Sequence, residues 1–161
     1  MNNHYNNSAL PETIGGKVML GNAIALAATA FQNKTDKGGK PYILHCLHVM
    51  NKMKYEGDEE LMIVAVLHDL IEDTGYTFTD LEVMGYSDRV INLLVLLTHS
   101  KNISYETYIE QIKSNSEDAV KIKLQDLRHN SDITRIKGLR EKDFARLAKY
   151  HKAYSYLLED N

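Results

Sequence analysis

Apolar residues along this chain recur at three- and four-residue intervals, and that spacing predicts helices from one end to the other. Residues 17–33 are rich in Ala and Leu without proline and read as a first helix. The run NKTDKGGKP, 33–41, interrupts it with Gly, Pro and charge. Helical spacing resumes over 42–53, where Ile43, Leu47 and Met50 share one side. Gly57-Asp58 offers a break and an N-cap for an apolar helix over 59–73. Gly75 and Gly85 bracket a short turn-like helix. Ser87, Ser104 and Ser116 stand as caps ahead of helices over 88–98, 105–114 and 119–132, and an amphipathic helix over 141–160 closes the chain. With two prolines and no alternating strand pattern, the expected class is all-α, a compact helical bundle of about six or seven helices. The Asn-rich residues 1–12 read as a flexible arm and residues 13–161 as a single domain, with no repeat or linker.

Composition narrows the function classes. A chain of 161 residues, 43% hydrophobic and 25% charged, has the size and balance of one globular domain. No segment has the roughly 18 uninterrupted apolar residues of a membrane span, and the start is not basic-then-apolar, so neither a membrane partner nor export is expected. The single cysteine, Cys46, cannot form an internal disulfide, which points to the cytoplasm. A net charge of −3 speaks against a nucleic-acid partner. Oligomeric state is left open. Charge is unevenly placed: residues 55–90 hold ten acids and one base, Arg89, whereas residues 119–153 hold ten bases and four acids. The two halves could meet over a cleft for a metal and an anionic ligand, or be two solvated faces of opposite sign.

The chemistry sits inside the apolar run. His68, Asp69, Glu72 and Asp73 fall among Leu61 to Leu67, Leu70 and Ile71, where an unpaired charge costs several kcal/mol or is neutralised. On one continuous helix, pairs four apart would bring all four onto one stripe. His45 lies among Ile43, Leu44 and Leu47, and Asp126 among Ile122, Leu124 and Leu127, with Asn130 one turn further. Each histidine alone could be a satisfied core residue. Together, two imidazoles and two carboxylates on three helices suit a first-row divalent metal with water in its open positions. Glu72, one turn past His68, can reach a water held there. His48 could join the ligands or lie beside them. His99 and His151 lack a partner pattern and read as surface. Tyr105 and Tyr108 could stack on a base or pack helices, and Cys46 is not expected to act as a nucleophile.

The order His45, His68-Asp69, Asp126 resembles the H…HD…D signature of the HD-domain metal-dependent phosphohydrolases. KGGKPYILHCLHV, VAVLHDLIEDT and VKIKLQDLRHN are similar to the three motif blocks of the Rel/SpoT-type hydrolase domain and its small stand-alone relatives, over residues 20–155 or so. That family removes the 3′-pyrophosphate from ppGpp and pppGpp using manganese. The resemblance implies one divalent ion, Mn²⁺, on His45, His68, Asp69 and Asp126. It implies Glu72 and Asp73 as the catalytic pair that activates water, Lys37 and Asn130 as substrate contacts, and an anionic nucleotide as partner. His129 then supports the fold. The family's Arg-Lys in the first loop is Asp36-Lys37 here, its ADRLHN is QDLRHN, its Arg-Thr is Asp132-Ile133, and a proline is replaced by Cys46. Asp36 is expected to remove a bidentate donor and add repulsion toward a pyrophosphate. The alternatives are an HD-type 5′-nucleotidase acting on mononucleotides and a catalytically silent nucleotide sensor.

Overall fold

The apolar run after Asp58 becomes the central helix because it has no polar face to turn toward water. Leu61, Ile63, Val64, Ala65, Val66 and Leu67 are all buried, as expected of a helix apolar all round. The computed structural model describes residues 18–159, and the arm expected at 1–12 lies outside them. The helices are α1 Leu20–Ala30, α2 Ile43–Met53, α3 Glu59–Leu67, α4 Leu70–Asp73, α5 Phe78–Val83, α6 Asp88–Leu97, α7 Tyr105–Asn115, α8 Glu117–Asn130 and α9 Glu141–Leu158. Short 3₁₀ turns cover Lys54–Glu56 and Ile133–Arg135. The chain is an all-α bundle in which α1, α2 and α6 surround α3, and α8 packs on α2, α6, α7 and α9. None of the described helices is long and apolar enough to cross a membrane.

Local chemistry sets the boundaries. Asp58, Ser87, Ser104 and Ser116 each accept a hydrogen bond from the backbone N–H three residues on, satisfying a donor that the first turn leaves free. Gly57, at φ 68°, ends the turn before α3 in the left-handed region that glycine enters without steric cost. In α1, Ala23 and Ala27 are fully buried, so this helix can approach α3 closely.

The helix expected over 59–73 is not continuous. It stops at Leu67 and restarts at Leu70, with Asp69 at φ −101°, ψ 3°. His68 explains the break: its Nδ1–H donates to the Ala65 carbonyl at 2.8 Å, the acceptor the Asp69 N–H would use in an unbroken helix. The four ionisable groups therefore do not lie on one continuous helix: the break brings His68 and Asp69 to one point, and Asp69, Glu72 and Asp73 line one cavity.

Arg89, the one base of the acidic half, spans Asp58, Glu60 and Asp118 at 2.7–3.1 Å and so ties the starts of α3, α6 and α8 together.

Candidate metal centre

Four donor atoms meet where α2, the α3–α4 break and α8 face one another. His45, in the first turn of α2, and His68 are 1% and 3% exposed, and their Nε2 atoms are 3.3 Å apart. Asp69 Oδ2 lies 3.0 Å from His68 Nε2 and 3.6 Å from His45 Nε2. Asp126 Oδ1 reaches in from α8, 3.2 Å from His45 Nε2 and 3.6 Å from His68 Nε2. Because the Ala65 carbonyl can only accept, the neutral His68 ring presents its Nε2 lone pair to this cluster.

Two imidazole nitrogens and two carboxylates packed this closely need positive charge, a proton or a cation, among them. Burial opposes a charge on His68, yet Asp69 and Asp126 drive its pKa well above the ordinary value. Burial likewise opposes the Asp126 charge, while Lys123 first and then the two histidines hold its pKa far down. A divalent cation meets the same demand, and imidazole with carboxylate is a donor set that first-row divalent metals accept. His45, His68 and Asp69 alone place ligating atoms within 4.8 Å of one another and could hold such an ion.

The surrounding groups orient these side chains. Tyr42 donates its hydroxyl hydrogen to Asp69 Oδ2 at 2.5 Å. Lys123 Nζ pairs with Asp126 Oδ2 at 2.8 Å, and the Asn130 amide donates to Oδ1 at 2.6 Å. Asn130, expected on the substrate, thus lines the cavity with its amide on Asp126. His129 sits behind His45, Nδ1 to Nδ1 at 2.7 Å. Burial, then Arg135, depress its pKa to about 3, so its ring is neutral. His48 is exposed and stacks on His129, 3.9 Å between centroids.

Beside the cluster opens a cavity of about 390 Å³ in which the acidic and basic halves do meet. Asp69, Glu72, Asp73 and Asp126 line it together with Lys37, Lys123, Arg146 and Lys149. Glu72 Oε2 accepts the His99 backbone N–H at 3.2 Å, and Asp73 pairs with Lys34. His99 is therefore not a surface residue: it is half-buried in the cavity wall, with Tyr105 and Tyr108 against its ring. Tyr108 packs between helices, its hydroxyl donating to the Leu97 carbonyl, while Tyr105 also lines the cavity. Lys37 lines the cavity with its side chain largely exposed, and partial desolvation of its ammonium, then the cations Arg146, Lys142 and Lys149, lower its pKa. Lys34, Lys123, Arg135 and Arg146 were not legible as site residues, since each looks like an ordinary surface base. Lys123, three residues before Asp126 and so on the same side of a helix, is the one a helical reading could have found.

Asp36 does not stand as a bare anion in this wall. Its Oδ1 accepts the N–H groups of Gly38 and Lys40, both at 2.9 Å, and its Oδ2 takes Arg135 at 2.8 Å. The expected repulsion is answered inside the protein, because residue 135 supplies a guanidinium where residue 36 lacks one. Arg135 also donates to the His129 carbonyl at 2.6 Å. Asp36→Arg alone is expected to lower the melting temperature by placing two guanidinium groups together. Asp36→Arg with Arg135→Asp should recover the part owed to the ion pair, a coupling of about 1–2 kcal/mol in a double-mutant cycle, while the bonds to Gly38, Lys40 and His129 stay lost. Additive losses would mean the pair is not coupled.

Residues 23–138 match the family model described as HD domain. A guanosine-3′,5′-bis(diphosphate) 3′-pyrophosphohydrolase of Aquifex aeolicus is 36% identical over 98 residues, 56% of this chain and 14% of that protein. The bifunctional (p)ppGpp synthase/hydrolase SpoT of Escherichia coli is 30% identical over 109 residues, 66% of this chain and 15% of that one. The 3′-pyrophosphohydrolase MESH1 of Danio rerio is 31% identical over 106 residues, 62% of this chain and 58% of its own. The chain thus spans about one seventh of the first two relatives and just over half of the third. A solved structure of a metazoan ortholog of SpoT that hydrolyses ppGpp superposes with a TM-score of 0.73 at 24% identity, over 92% of this chain and 88% of that one, and so has the same fold. By the match over residues 23–138, with the His-Asp cluster on its helices, this chain belongs to the HD domain family.

Proposed function

We propose that this protein is a manganese-dependent phosphohydrolase of the cytoplasm that removes the 3′-pyrophosphate from ppGpp and pppGpp, leaving GDP or GTP. The observation that carries the reading is the meeting of His45, His68, Asp69 and Asp126 beside a cavity that Asp69 and Asp126 line together with Lys37, Lys123, Arg146 and Lys149. The names of the relatives support the choice of substrate. His45, His68, Asp69 and Asp126 would hold the ion. A divalent metal there supplies Lewis acidity toward a phosphoryl oxygen and makes water a stronger acid. Glu72, oriented by the His99 N–H, accepts the proton of the attacking water. Asp73, held by Lys34, fixes the short helix that carries Glu72. Lys37, Arg146 and Lys149 bind phosphate oxygens as point charges and forks, and Asn130 faces the nucleoside.

Incubation with Mn²⁺ and a panel of ppGpp, pppGpp and 5′-mononucleotides, with identification of products, tests the reading. The expected result is GDP and pyrophosphate from ppGpp, with the mononucleotides intact. Faster release of phosphate from dAMP would establish a nucleotidase instead. Binding of metal and ppGpp with no turnover of any nucleotide would establish a sensor.

A further inference from the structure

The geometry points to His129 as the residue that fixes the tautomer and direction of His45, an inference that rests on the metal reading above. The two rings lie within 14° of parallel with centroids 5.0 Å apart, and their Nδ1 atoms are 2.7 Å from each other. Rings so placed meet edge to edge through one hydrogen bond, and the two nitrogens share a single proton. If His45 donates it, His45 Nε2 is a bare lone pair pointing at His68, Asp69 and Asp126. If His129 donates it, the His45 proton sits on Nε2, where a cation would have to be. Only the first arrangement serves a metal, so His129 must be the acceptor.

The surroundings hold His129 in that place. Its backbone carbonyl takes the Arg135 guanidinium at 2.6 Å, and the His48 ring covers one face at 13°. His68 solves the same problem with the Ala65 carbonyl. The usual partners of a metal-bound histidine are a carboxylate, a backbone carbonyl or water. A neutral imidazole in that place adds no negative charge behind His45. His129 is thus a positioning residue, acting through His45.

Titration calorimetry with Mn²⁺ on the full chain, for the wild type, His129→Asn and His129→Phe, tests this, with metal-free melting followed separately. Asparagine keeps an acceptor near the Nδ1 place without the ring, and phenylalanine keeps the ring without the acceptor. Phenylalanine should weaken Mn²⁺ binding by about 10–100-fold while asparagine stays within about threefold, whatever each does to metal-free melting. Equal binding by the phenylalanine variant, or weaker binding by asparagine than by phenylalanine, would overturn the assignment and leave the metal reading standing. Absence of Mn²⁺ binding in the wild type would remove both. If phenylalanine prevents folding, asparagine decides alone: retained affinity supports the acceptor role, and a tenfold loss or more ends it.

Discussion

Asp126→Ala will abolish tight binding of a divalent metal and destabilise the metal-free protein by about 3–5 kcal/mol. The two losses have different causes. Metal binding fails because an anionic donor 3.2 Å from His45 Nε2 is gone. Stability falls because Asp126 is also the partner of Lys123, whose ammonium is 2.8 Å away and largely withdrawn from water. Removing one member of a buried pair strands the other, which costs more than the pair itself contributes. The double variant Asp126→Ala with Lys123→Met should therefore regain most of the stability in urea denaturation with EDTA present, yet still bind no metal. Metal analysis showing full occupancy in Asp126→Ala would remove Asp126 from the ligand set. A double variant no more stable than the single one would show that Lys123 is not the stranded charge.

Glu72→Gln will keep the metal and the fold and lose about 10²–10⁴-fold in kcat. Glutamine preserves the size of the side chain and an acceptor for the His99 N–H, but its amide cannot take a proton from water. Glu72 is exposed, so stability should change by no more than about 0.5 kcal/mol. Single-turnover hydrolysis of ppGpp, together with a Mn²⁺ titration, separates a lost base from a lost metal. Turnover within a factor of about three of the wild type would hand the role to Asp73. Asp73 starts at a disadvantage because Lys34 already occupies its carboxylate.

The parts legible in the sequence were those decided locally. Asp58, Ser87, Ser104 and Ser116 cap their helices because a side chain and an N–H three residues away settle the matter between themselves. His45, His68, Asp69 and Asp126 were visible because ionisable groups in apolar runs are costly without a common partner. The break at His68-Asp69 was hidden, since Leu70 and Ile71 continue the apolar pattern and only the His68 side chain, by taking the Ala65 carbonyl, reveals it. Pairings across long stretches were hidden as well. Arg135 is 99 residues from Asp36, and Lys34 is on the far side of α2 in sequence from Asp73, so each base resembles any solvated one until the loops come together. His129 was visible as a motif letter but not as the neighbour of His45, which lies 84 residues away.

The way Asp126 is held bears on which ions the site can retain. Lys123 engages its Oδ2, so only Oδ1, already touched by the Asn130 amide, faces His45 and His68. A carboxylate restrained in this way offers one oxygen and cannot swing to offer two. Calcium gathers six to eight oxygens, often with bidentate carboxylates among them. Two imidazole nitrogens beside a one-oxygen Asp126 leave it far short of that number, whereas manganese and its neighbours accept nitrogen donors and fewer contacts. With the proposed ligand set, Lys123 would touch neither the ion nor the attacking water and would still disfavour calcium.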